Sequence, residues 1–124
     1  MVSNFDLKNK TIVLTGSAGR VGSQFSEILS EAGANLILID RDVEKNEKLF
    51  KKIKKRYKTN CLISNIDITD SSKIDNLVKV ILKKYSKIDV LINNAHFVPR
   101  NDPNRDAPFE KYPYKLWQKT ISEN

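Results

Sequence analysis

Four short apolar runs alternate with three stretches of helical periodicity, and this alternation constrains the fold more than any other feature of the chain. The runs are residues 11–15, 36–40, 61–64 and 88–93. Each run is apolar on consecutive residues, which is typical of strands whose two faces are both covered by helices. Strands that alternate with helices form βαβ units and a parallel sheet. We therefore predict an α/β fold, a doubly wound parallel sheet in the strand order 3-2-1-4 with helices on both faces.

The first helical stretch lies between the first two apolar runs. Its apolar residues recur at the spacing of one helical face, and they are Val21, Phe25, Ile28, Leu29 and Ala32. Gly33 follows them and suits the left-handed position that ends many helices. We expect this apolar stripe to face the core.

The second and third helical stretches carry capping residues at their beginnings. The second is predicted to begin at Asp42 as the N-cap and to end near Tyr57. The third follows a cluster of capping residues at 69–72. Its apolar stripe consists of Ile74, Leu77, Val78, Ile81, Leu82 and Tyr85. Stripes of this kind are expected to pack in the core rather than to bind a cofactor.

The last part of the chain has a different composition. Residues 97–112 hold three of the four prolines, with Asn, Asp and Arg between them, which predicts a loop. Pro113 suits the first turn of a helix, and Tyr114, Trp117 and Ile121 share one face of the helix that follows. Residues 113–124 are therefore predicted to form the beginning of a further helix.

The length and charge of the chain limit its organisation and partners. A length of 124 residues suits a single domain over residues 1–124, which we expect to be incomplete at its C-terminus. The net charge of +7 raises nucleic acid as a partner. However, the densest basic stretch, Lys51–Lys58, lies on a helix whose apolar Leu49, Ile53 and Tyr57 leave the lysines on the solvent side. This pattern indicates a solvated helix face, so we expect no nucleic-acid partner.

Metal and membrane binding are both disfavoured by the composition. The chain has one cysteine, Cys61, and one histidine, His96, which are too few for the usual metal site or for an internal disulfide. No apolar run approaches the roughly 20 residues of a membrane span, and the N-terminal residues lack an apolar signal segment. We expect no metal, no membrane association and a cytoplasmic location.

A glycine-rich loop joins the first predicted strand to the first predicted helix. It reads Gly16-Ser17-Ala18-Gly19-Arg20-Val21-Gly22. Glycines at this junction let the backbone approach a pyrophosphate, whose charge is met by exposed N–H groups and by the positive end of the helix dipole. A plain tight turn would explain three glycines alone. The strand before the loop and the helix after it favour dinucleotide binding by a Rossmann-like domain.

Asp40, at the end of the second run, supports the same interpretation. An acid about 20 residues beyond the loop binds the adenine ribose hydroxyls and repels a 2′-phosphate, so we expect NAD, with NADP less favoured. Arg41, which follows Asp40, and Arg20, in the glycine loop, leave NADP open, since an arginine can neutralise that phosphate. Helix capping is the alternative role of Asp40, although Asp42 is better placed for it.

Three further segments resemble the short-chain dehydrogenase/reductase family, and with the glycine loop the resemblance spans essentially the whole chain. Residues 65–70, Asn-Ile-Asp-Ile-Thr-Asp, are similar to the segment after the family's third strand. Residues 89–95, Asp-Val-Leu-Ile-Asn-Asn-Ala, resemble the Asn-Asn-Ala-Gly signature, with His96 in place of the glycine. Trp117, followed seven residues later by Asn124, matches the spacing in the family's fifth helix.

The resemblance implies roles for individual residues. Asp67 and Ile68 would hold the adenine, Asn93 would brace the sheet, and Asn94-Ala95 would border the nicotinamide ribose. Asn124 would help to position a catalytic lysine through water, or it is simply a polar helix residue. The cofactor-binding residues expected from the loop, the strand end and the resemblance are Gly16, Ser17, Gly19, Arg20, Val21, Gly22, Asp40, Arg41, Asp67, Ile68, Asn94 and Ala95.

The subclass within the family stays open. The glycine spacing is more similar to the family's extended, sugar-nucleotide-handling subclass, whereas the Asn-Asn-Ala segment and the Trp-to-Asn spacing resemble the shorter main subclass. The loop also resembles those of family members involved in surface-sugar and flagellin modification, which makes a sugar derivative the expected kind of substrate.

The Tyr-x-x-x-Lys pair that performs the family's proton transfer is not in this sequence. In the family the Tyr is a general acid/base, the Lys lowers its pKa and a Ser orients the substrate oxygen. None of the tyrosines, at 57, 85, 112 and 114, has a lysine four residues later. We therefore expect the NAD(P)-binding part of a larger, homo-oligomeric oxidoreductase that transfers hydride to or from an alcohol or carbonyl substrate, inactive when isolated. A non-enzymatic nucleotide-binding module is the alternative.

Overall fold

A computed structural model describes residues 5–124, so residues 1–4 of the predicted domain lie outside the described part of the chain. The strands are β1 (Thr11–Thr15), β2 (Asn35–Ile39), β3 (Cys61–Ser64) and β4 (Val90–Ile92). The helices are α1 (Arg20–Glu31), α2 (Val43–Arg56), α3 (Ser71–Tyr85) and α4 (Tyr114–Glu123). The strands form one parallel sheet in the order β3-β2-β1-β4, which confirms the predicted fold class and strand order.

Both faces of the two central strands are buried. Successive side chains of β1 and β2 point to opposite sides of the sheet, and helices cover both sides. On one face, strand residues pack with α2, and this cluster contains Ile12, Leu14, Leu36, Leu38, Leu49 and Ile53. On the other face they pack with α3, in a cluster of Val13, Ile37, Ile39, Leu77 and Ile81. The consecutive apolar residues in the sequence therefore reflect a sheet covered on both sides.

Two strand boundaries differ from the sequence prediction. Strand β2 occupies 35–39 rather than 36–40, because the Asn35 N–H already donates to the carbonyl of Lys10. Strand β4 occupies 90–92 rather than 88–93. It is shorter because polar groups take over at both ends: the Asp89 carboxylate accepts from the Thr11 N–H at 2.8 Å, and the Asn94 N–H donates to the Thr15 hydroxyl at 3.1 Å.

The prediction that an apolar stripe buries α1 is wrong for most of its length. Val21, Phe25 and Ile28 are 54%, 39% and 61% exposed. The buried residues of α1 are Gly22, Ser26 and Ser30. Small residues on this face let the helix backbone come close to the strand–helix turn, since a Cβ on Gly22 would lie 2.1 Å from the carbonyl oxygen of Gly16. Helix α1 therefore packs by close approach of its backbone and directs most of its large apolar side chains outward.

The helix ends agree with the capping signals in the sequence. Gly33 follows α1 in the left-handed conformation, with φ +92°, as expected. Asp42 is the N-cap of α2, and its carboxylate accepts from the Lys45 N–H at 3.1 Å. Within the predicted capping cluster, Asp70 is the N-cap of α3. Local hydrogen bonding by short polar side chains thus sets these boundaries.

The remaining stripes are only partly buried. In α3, Leu77 and Ile81 are buried, whereas Leu82 is 44% exposed and the other stripe residues are half-buried. The lysines of α2 are exposed as predicted, and two of its basic side chains, Lys52 and Arg56, pair with Glu27 of α1. The basic surface of α2 is therefore a solvated face that is partly neutralised by α1.

The segment after β4 runs through turns and a short 3₁₀ helix, Phe109–Lys111, before α4 begins after Pro113. Leu116 is the buried residue of α4, whereas Tyr114, Trp117 and Ile121 are 70%, 48% and 62% exposed. Within residues 5–124, no helix has the length and apolar character needed to cross a membrane.

Candidate functional site

A cavity of about 560 Å³ opens beyond the carboxyl ends of β1, β2 and β4. In parallel α/β sheets, ligands bind at this edge, where the strand order changes direction. The predicted cofactor-binding residues that line the cavity are Gly16, Gly19, Arg20, Val21, Asp40, Arg41, Asp67, Ile68, Asn94 and Ala95. The fold therefore brings together residues from four separate segments of the sequence.

The turn between β1 and α1 is packed so tightly that two of its positions have no room for a side chain. Gly16 has φ +63°, and a Cβ on it would lie 2.8 Å from Cα of Ala95. Gly22 lies below the turn, where a Cβ would lie 2.1 Å from the Gly16 carbonyl oxygen. Gly19 is different: it is exposed, and a Cβ there would approach only the Gly16 oxygen, at 3.3 Å. Gly16 and Gly22 thus shape the turn, and Gly19 keeps its cavity side open.

The N-terminus of α1 faces the cavity without a side-chain cap. Its N-cap, Gly19, makes no capping hydrogen bond, whereas Asp42 and Asp70 cap α2 and α3. The first N–H groups of a helix have no acceptor within the helix and carry its partial positive charge. Arg20 and Val21, which lie in this first turn, line the cavity. The arrangement offers backbone donors to an anion at the turn.

The Asp40 carboxylate joins the end of β2 to the glycine loop. Its Oδ2 accepts from the Ala18 N–H at 2.9 Å, and its Oδ1 accepts from the Asp42 N–H at 2.9 Å. Asp42, not Asp40, caps α2 through the Lys45 N–H, so helix capping does not account for Asp40. The two backbone contacts fix the direction of the carboxylate, which lines the cavity.

Asn94 makes the bracing contacts that the resemblance assigns to Asn93. Its Nδ2 donates to the carbonyl oxygens of Thr15 and Gly16, at 3.1 and 3.0 Å. Asn93 is exposed, so the expectation for this residue is corrected. The side chain of Asn94 thereby ties the segment directly after β4 to the end of β1 and to the glycine turn.

Two predicted site residues in the glycine loop do not line the cavity. Ser17 is fully buried, and its hydroxyl donates to Oδ1 of Asn46 at 2.8 Å, so its side chain points away from the cavity. Gly22 lies beneath the turn, in contact with Gly16. Their placement gives both residues a role in shaping the loop.

Asn46 of α2 is a buried polar residue that the sequence analysis missed. Besides accepting from Ser17, it donates through Nδ2 to Oδ1 of Asn65 at 2.9 Å, and it is 0% exposed. Asn46 therefore connects the glycine loop to the end of β3. Its spacing from Leu49 and Ile53 places it on the buried face of α2, and this spacing was the available signal.

The segment after β3 places Asp67 and Ile68 at one end of the cavity. Oδ1 of Asp67 accepts from the backbone N–H and the hydroxyl of Thr69, at 2.9 and 2.7 Å. These hydrogen bonds, chiefly the one from the backbone, lower the pKa of Asp67, and nearby Arg41 adds to the effect. Ile68 is 36% exposed. A fixed carboxylate and an apolar side chain thus form this part of the wall.

Asn124 does not line the cavity, but it contacts a residue that does. Its Oδ1 accepts from the Phe97 N–H at 2.6 Å, and its Nδ2 donates to the carbonyl oxygens of Phe97 and Thr120, at 3.3 and 2.8 Å. These bonds hold α4 against the segment that follows β4. The side chain of Asn124 is therefore fixed behind Phe97, which forms part of the cavity wall.

The cavity wall also contains charged residues from the last third of the chain. Arg100 and Glu123 line it, and Glu123 Oε2 lies 3.8 Å from Arg41 Nη1. His96 lines the cavity with an exposed side chain. Within the described residues 5–124, no group of three or more His, Cys, Asp and Glu side chains is placed to hold a metal ion.

A parallel sheet in the order 3-2-1-4, a glycine turn before α1 and an acid directly after β2 together define an α/β domain of the Rossmann type. A family model described as short chain dehydrogenase matches residues 10–124. This chain therefore belongs to the short-chain dehydrogenase/reductase family, as its motifs predicted.

Relatives and solved structures agree with this membership. A short chain dehydrogenase/reductase of Macrophomina phaseolina is 31% identical over 119 residues, which are 96% of this chain and 65% of that protein. A protein described as a D-mannonate oxidoreductase of Haemophilus influenza, solved with bound NAD, is 26% identical with a TM-score of 0.72 over 82% of this chain and 35% of that one. The L-sorbose reductase of Gluconobacter frateurii, complexed with NADPH and L-sorbose, shares the fold at 21% identity, with a TM-score of 0.77 over 92% of this chain and 41% of that one. The chain thus spans less than two thirds of the length of each.

Proposed function

We propose that this chain is the coenzyme-binding part of an oxidoreductase that transfers hydride between a nicotinamide dinucleotide and an alcohol or carbonyl substrate. The observation that carries the proposal is the turn from Gly16 to Gly22, which has no room for side chains at its two ends. This turn places the uncapped N-terminus of α1 at the cavity, beside Asp40.

The groups that line the cavity support the proposal of a bound dinucleotide. A pyrophosphate at the turn would be met by the first N–H groups of α1 and by the positive end of that helix. Each Asp40 oxygen accepts one backbone hydrogen bond and retains a second acceptor site for a ribose hydroxyl. At the far end, Asp67 and Ile68 would border the adenine, and Asn94-Ala95 would border the nicotinamide ribose.

We infer a preference for NAD over NADP from the charges around the ribose position. A 2′-phosphate beside Asp40 would meet a carboxylate whose direction is fixed by the Ala18 and Asp42 N–H groups. Arg41 is the adjacent cation, but it lies 3.9 Å from Asp67 and 3.8 Å from Glu123. Its charge is therefore already partly compensated.

The chemistry requires groups that this sequence does not contain. The nicotinamide ring, when bound, gives or takes the hydride, and the protein supplies binding, orientation and proton transfer. Without a Tyr-x-x-x-Lys pair, this chain supplies binding and orientation, and we expect it to be inactive by itself. Asn124 would act on the missing lysine from its fixed position beside Phe97.

A sugar derivative is the proposed kind of substrate. The glycine-loop resemblance supports it, and a similar protein of Haemophilus influenza is described as a D-mannonate oxidoreductase, a name that refers to a sugar acid. We further propose that the complete enzyme is a cytoplasmic homo-oligomer.

The proposal is tested by measuring binding and turnover of the chain separately. Calorimetric titration with NAD should show at most weak binding, and an assay of NADH formation with a panel of polyols should show no turnover above background. Robust turnover would contradict the assignment of proton transfer to the missing Tyr and Lys. Tight NAD binding by a stable monomer, with no activity after the family's C-terminal half is added, would instead favour a non-enzymatic nucleotide-binding module.

A further inference from the structure

Arg41 pairs with two carboxylates that come from different parts of the chain. Its Nη1 lies 3.9 Å from Oδ2 of Asp67, in the segment after β3, and 3.8 Å from Oε2 of Glu123, on α4. All three residues line the cavity. The guanidinium therefore extends from the end of β2 toward α4, across the end of the cavity where the adenosine would lie.

Glu123 is less exposed than the arginine with which it pairs. Its side chain is 24% exposed, compared with 62% for Arg41 and 46% for Asp67. Lys119, one helical turn earlier, lies 3.9 Å from the other oxygen of Glu123 and so orients the carboxylate from its far side. Glu123 is therefore the more enclosed partner of this ion pair, and the exposed Arg41 guanidinium lies within 3.8 Å of it.

We propose that Glu123 is a positioning residue that selects the coenzyme: by holding Arg41 between itself and Asp67, it favours NAD over NADP. This inference rests on the proposed function. An arginine directly after the acid at the end of β2 is the cation that can accept a 2′-phosphate. Here that arginine is compensated by two carboxylates, so an incoming phosphate has to compete with both of them.

Glu123 can be substituted without disturbing the glycine turn, whereas Asp40 cannot. Substitution of Asp40 would release the Ala18 N–H and change the phosphate-binding loop together with the ribose contact. The carboxylate of Glu123 contacts only Arg41 and Lys119 among the ion pairs of residues 5–124. Its removal therefore changes the charge around Arg41 and leaves the turn unchanged.

The test uses the complete 124-residue chain, labelled with ¹⁵N, and two probes that differ by one phosphate. The probes are adenosine 5′-monophosphate and adenosine 2′,5′-bisphosphate, titrated at low salt and followed by amide chemical shifts. The measured quantity is the dissociation constant of the bisphosphate divided by that of the monophosphate. In the parent chain this ratio should be greater than one, which means that the probe without the 2′-phosphate binds more tightly.

In Glu123→Gln, the ratio should fall by about three- to fivefold in favour of the 2′-phosphate probe, which is the size of an exposed ion-pair effect. The shift should shrink in high salt, because the charges are partly exposed. Glu110→Gln is the matched control: it makes the same charge change at a residue of the 3₁₀ helix outside the cavity, and it should leave the ratio unchanged.

The role of Arg41 is tested in a second background. In Arg41→Gln, adding Glu123→Gln should shift the ratio by less than about twofold, because no guanidinium is left to release. An equal shift in both backgrounds would overturn the proposal, since Glu123 would then act by direct repulsion. An unchanged ratio in Glu123→Gln would overturn it while the proposed function stands, whereas failure of the parent chain to bind either probe or NAD would overturn both.

Discussion

Gly22 lies directly beneath Gly16, so that a Cβ on Gly22 would stand 2.1 Å from the Gly16 carbonyl oxygen. This contact couples the first turn of α1 to the left-handed turn that ends β1. The same closeness explains why α1 buries Gly22, Ser26 and Ser30 rather than its larger apolar residues. The same close contact therefore determines both the geometry of the candidate phosphate site and the packing of α1.

The Gly22→Ala substitution should lower the free energy of unfolding by about 2–3 kcal/mol, because the new methyl group meets backbone atoms that cannot move without opening the turn. Urea denaturation measures the loss. Gly19→Ala is the control, since Gly19 has φ −70° and a Cβ there would approach only the Gly16 oxygen, at 3.3 Å. Equal losses of unfolding free energy in the two variants would show that the short distance between Gly22 and Gly16 is not the reason that position 22 requires glycine.

The hydrogen bond between Ser17 and Asn46 should contribute measurably to stability, because both side chains are buried. Asn46→Ala should cost about 2–3 kcal/mol, since it leaves the Ser17 hydroxyl without its acceptor and opens a small cavity. A double-mutant cycle with Ser17→Ala, followed by urea denaturation, should give a coupling of about 1 kcal/mol or more. Strictly additive losses would mean that the two residues stabilise the fold independently.

Asp89 should make the chain sensitive to acid. Its hydrogen bond from the Thr11 N–H, and to a lesser extent the contact with Lys87, lower its pKa below the value in the unfolded chain. The stabilisation is therefore present above the unfolded pKa of about 3.9 and is lost as the pH falls through the lower folded value. Asp89→Asn should make the dependence of the urea midpoint on pH less steep between about pH 5 and 2.

The control for this prediction is Asp106→Asn, because the Asp106 side chain is 91% exposed and makes one ion pair, with the neighbouring Arg105, among the described residues. This variant should keep the acid dependence of the parent chain. A parent-like profile in Asp89→Asn would locate the acid sensitivity elsewhere.

Cys61 should be unreactive while the chain is folded. Burial in the core beneath α2 raises the pKa of its thiol to about 12, so the native protein holds almost no thiolate at pH 8. An aromatic disulfide reagent should react at least about a hundredfold more slowly in buffer than in 8 M urea. Because folding favours the neutral thiol, the contribution of Cys61 to stability is present below the unfolded pKa of about 8.5 and falls as the pH rises toward 12. Similar rates with and without urea would show that the residue is accessible.

The sheet and most helix boundaries could be predicted because they depend on local signals. Consecutive apolar residues indicated β1 and β2, and the caps Asp42 and Asp70 lie where short polar side chains satisfy the first N–H groups of a helix. The buried face of α1 could not be predicted in this way. Its burial depends on how closely the helix approaches the Gly16 turn, which is a tertiary contact that periodicity does not contain.

The candidate site likewise contains features that local sequence signals predict and features that depend on tertiary contacts. The glycine loop and Asp40 follow a known spacing and were identified from the sequence. Within the loop, however, the sequence could not tell that Ser17 turns inward to Asn46 while Gly19 faces the cavity. The pair of Arg41 and Glu123 depends on how α4 docks beside the end of β2, and no local pattern joins residues so distant in the chain.

The most direct test of the account is to locate NAD on the chain by ¹⁵N amide chemical shifts during a titration. The largest changes should fall on the amides of Gly19, Arg20 and Val21, with smaller changes at Asp67 and Ala95, and Gly22→Ala should abolish them. Shifts confined to the basic face of α2, or an unperturbed glycine turn at saturating NAD, would contradict the claim that this turn binds the pyrophosphate.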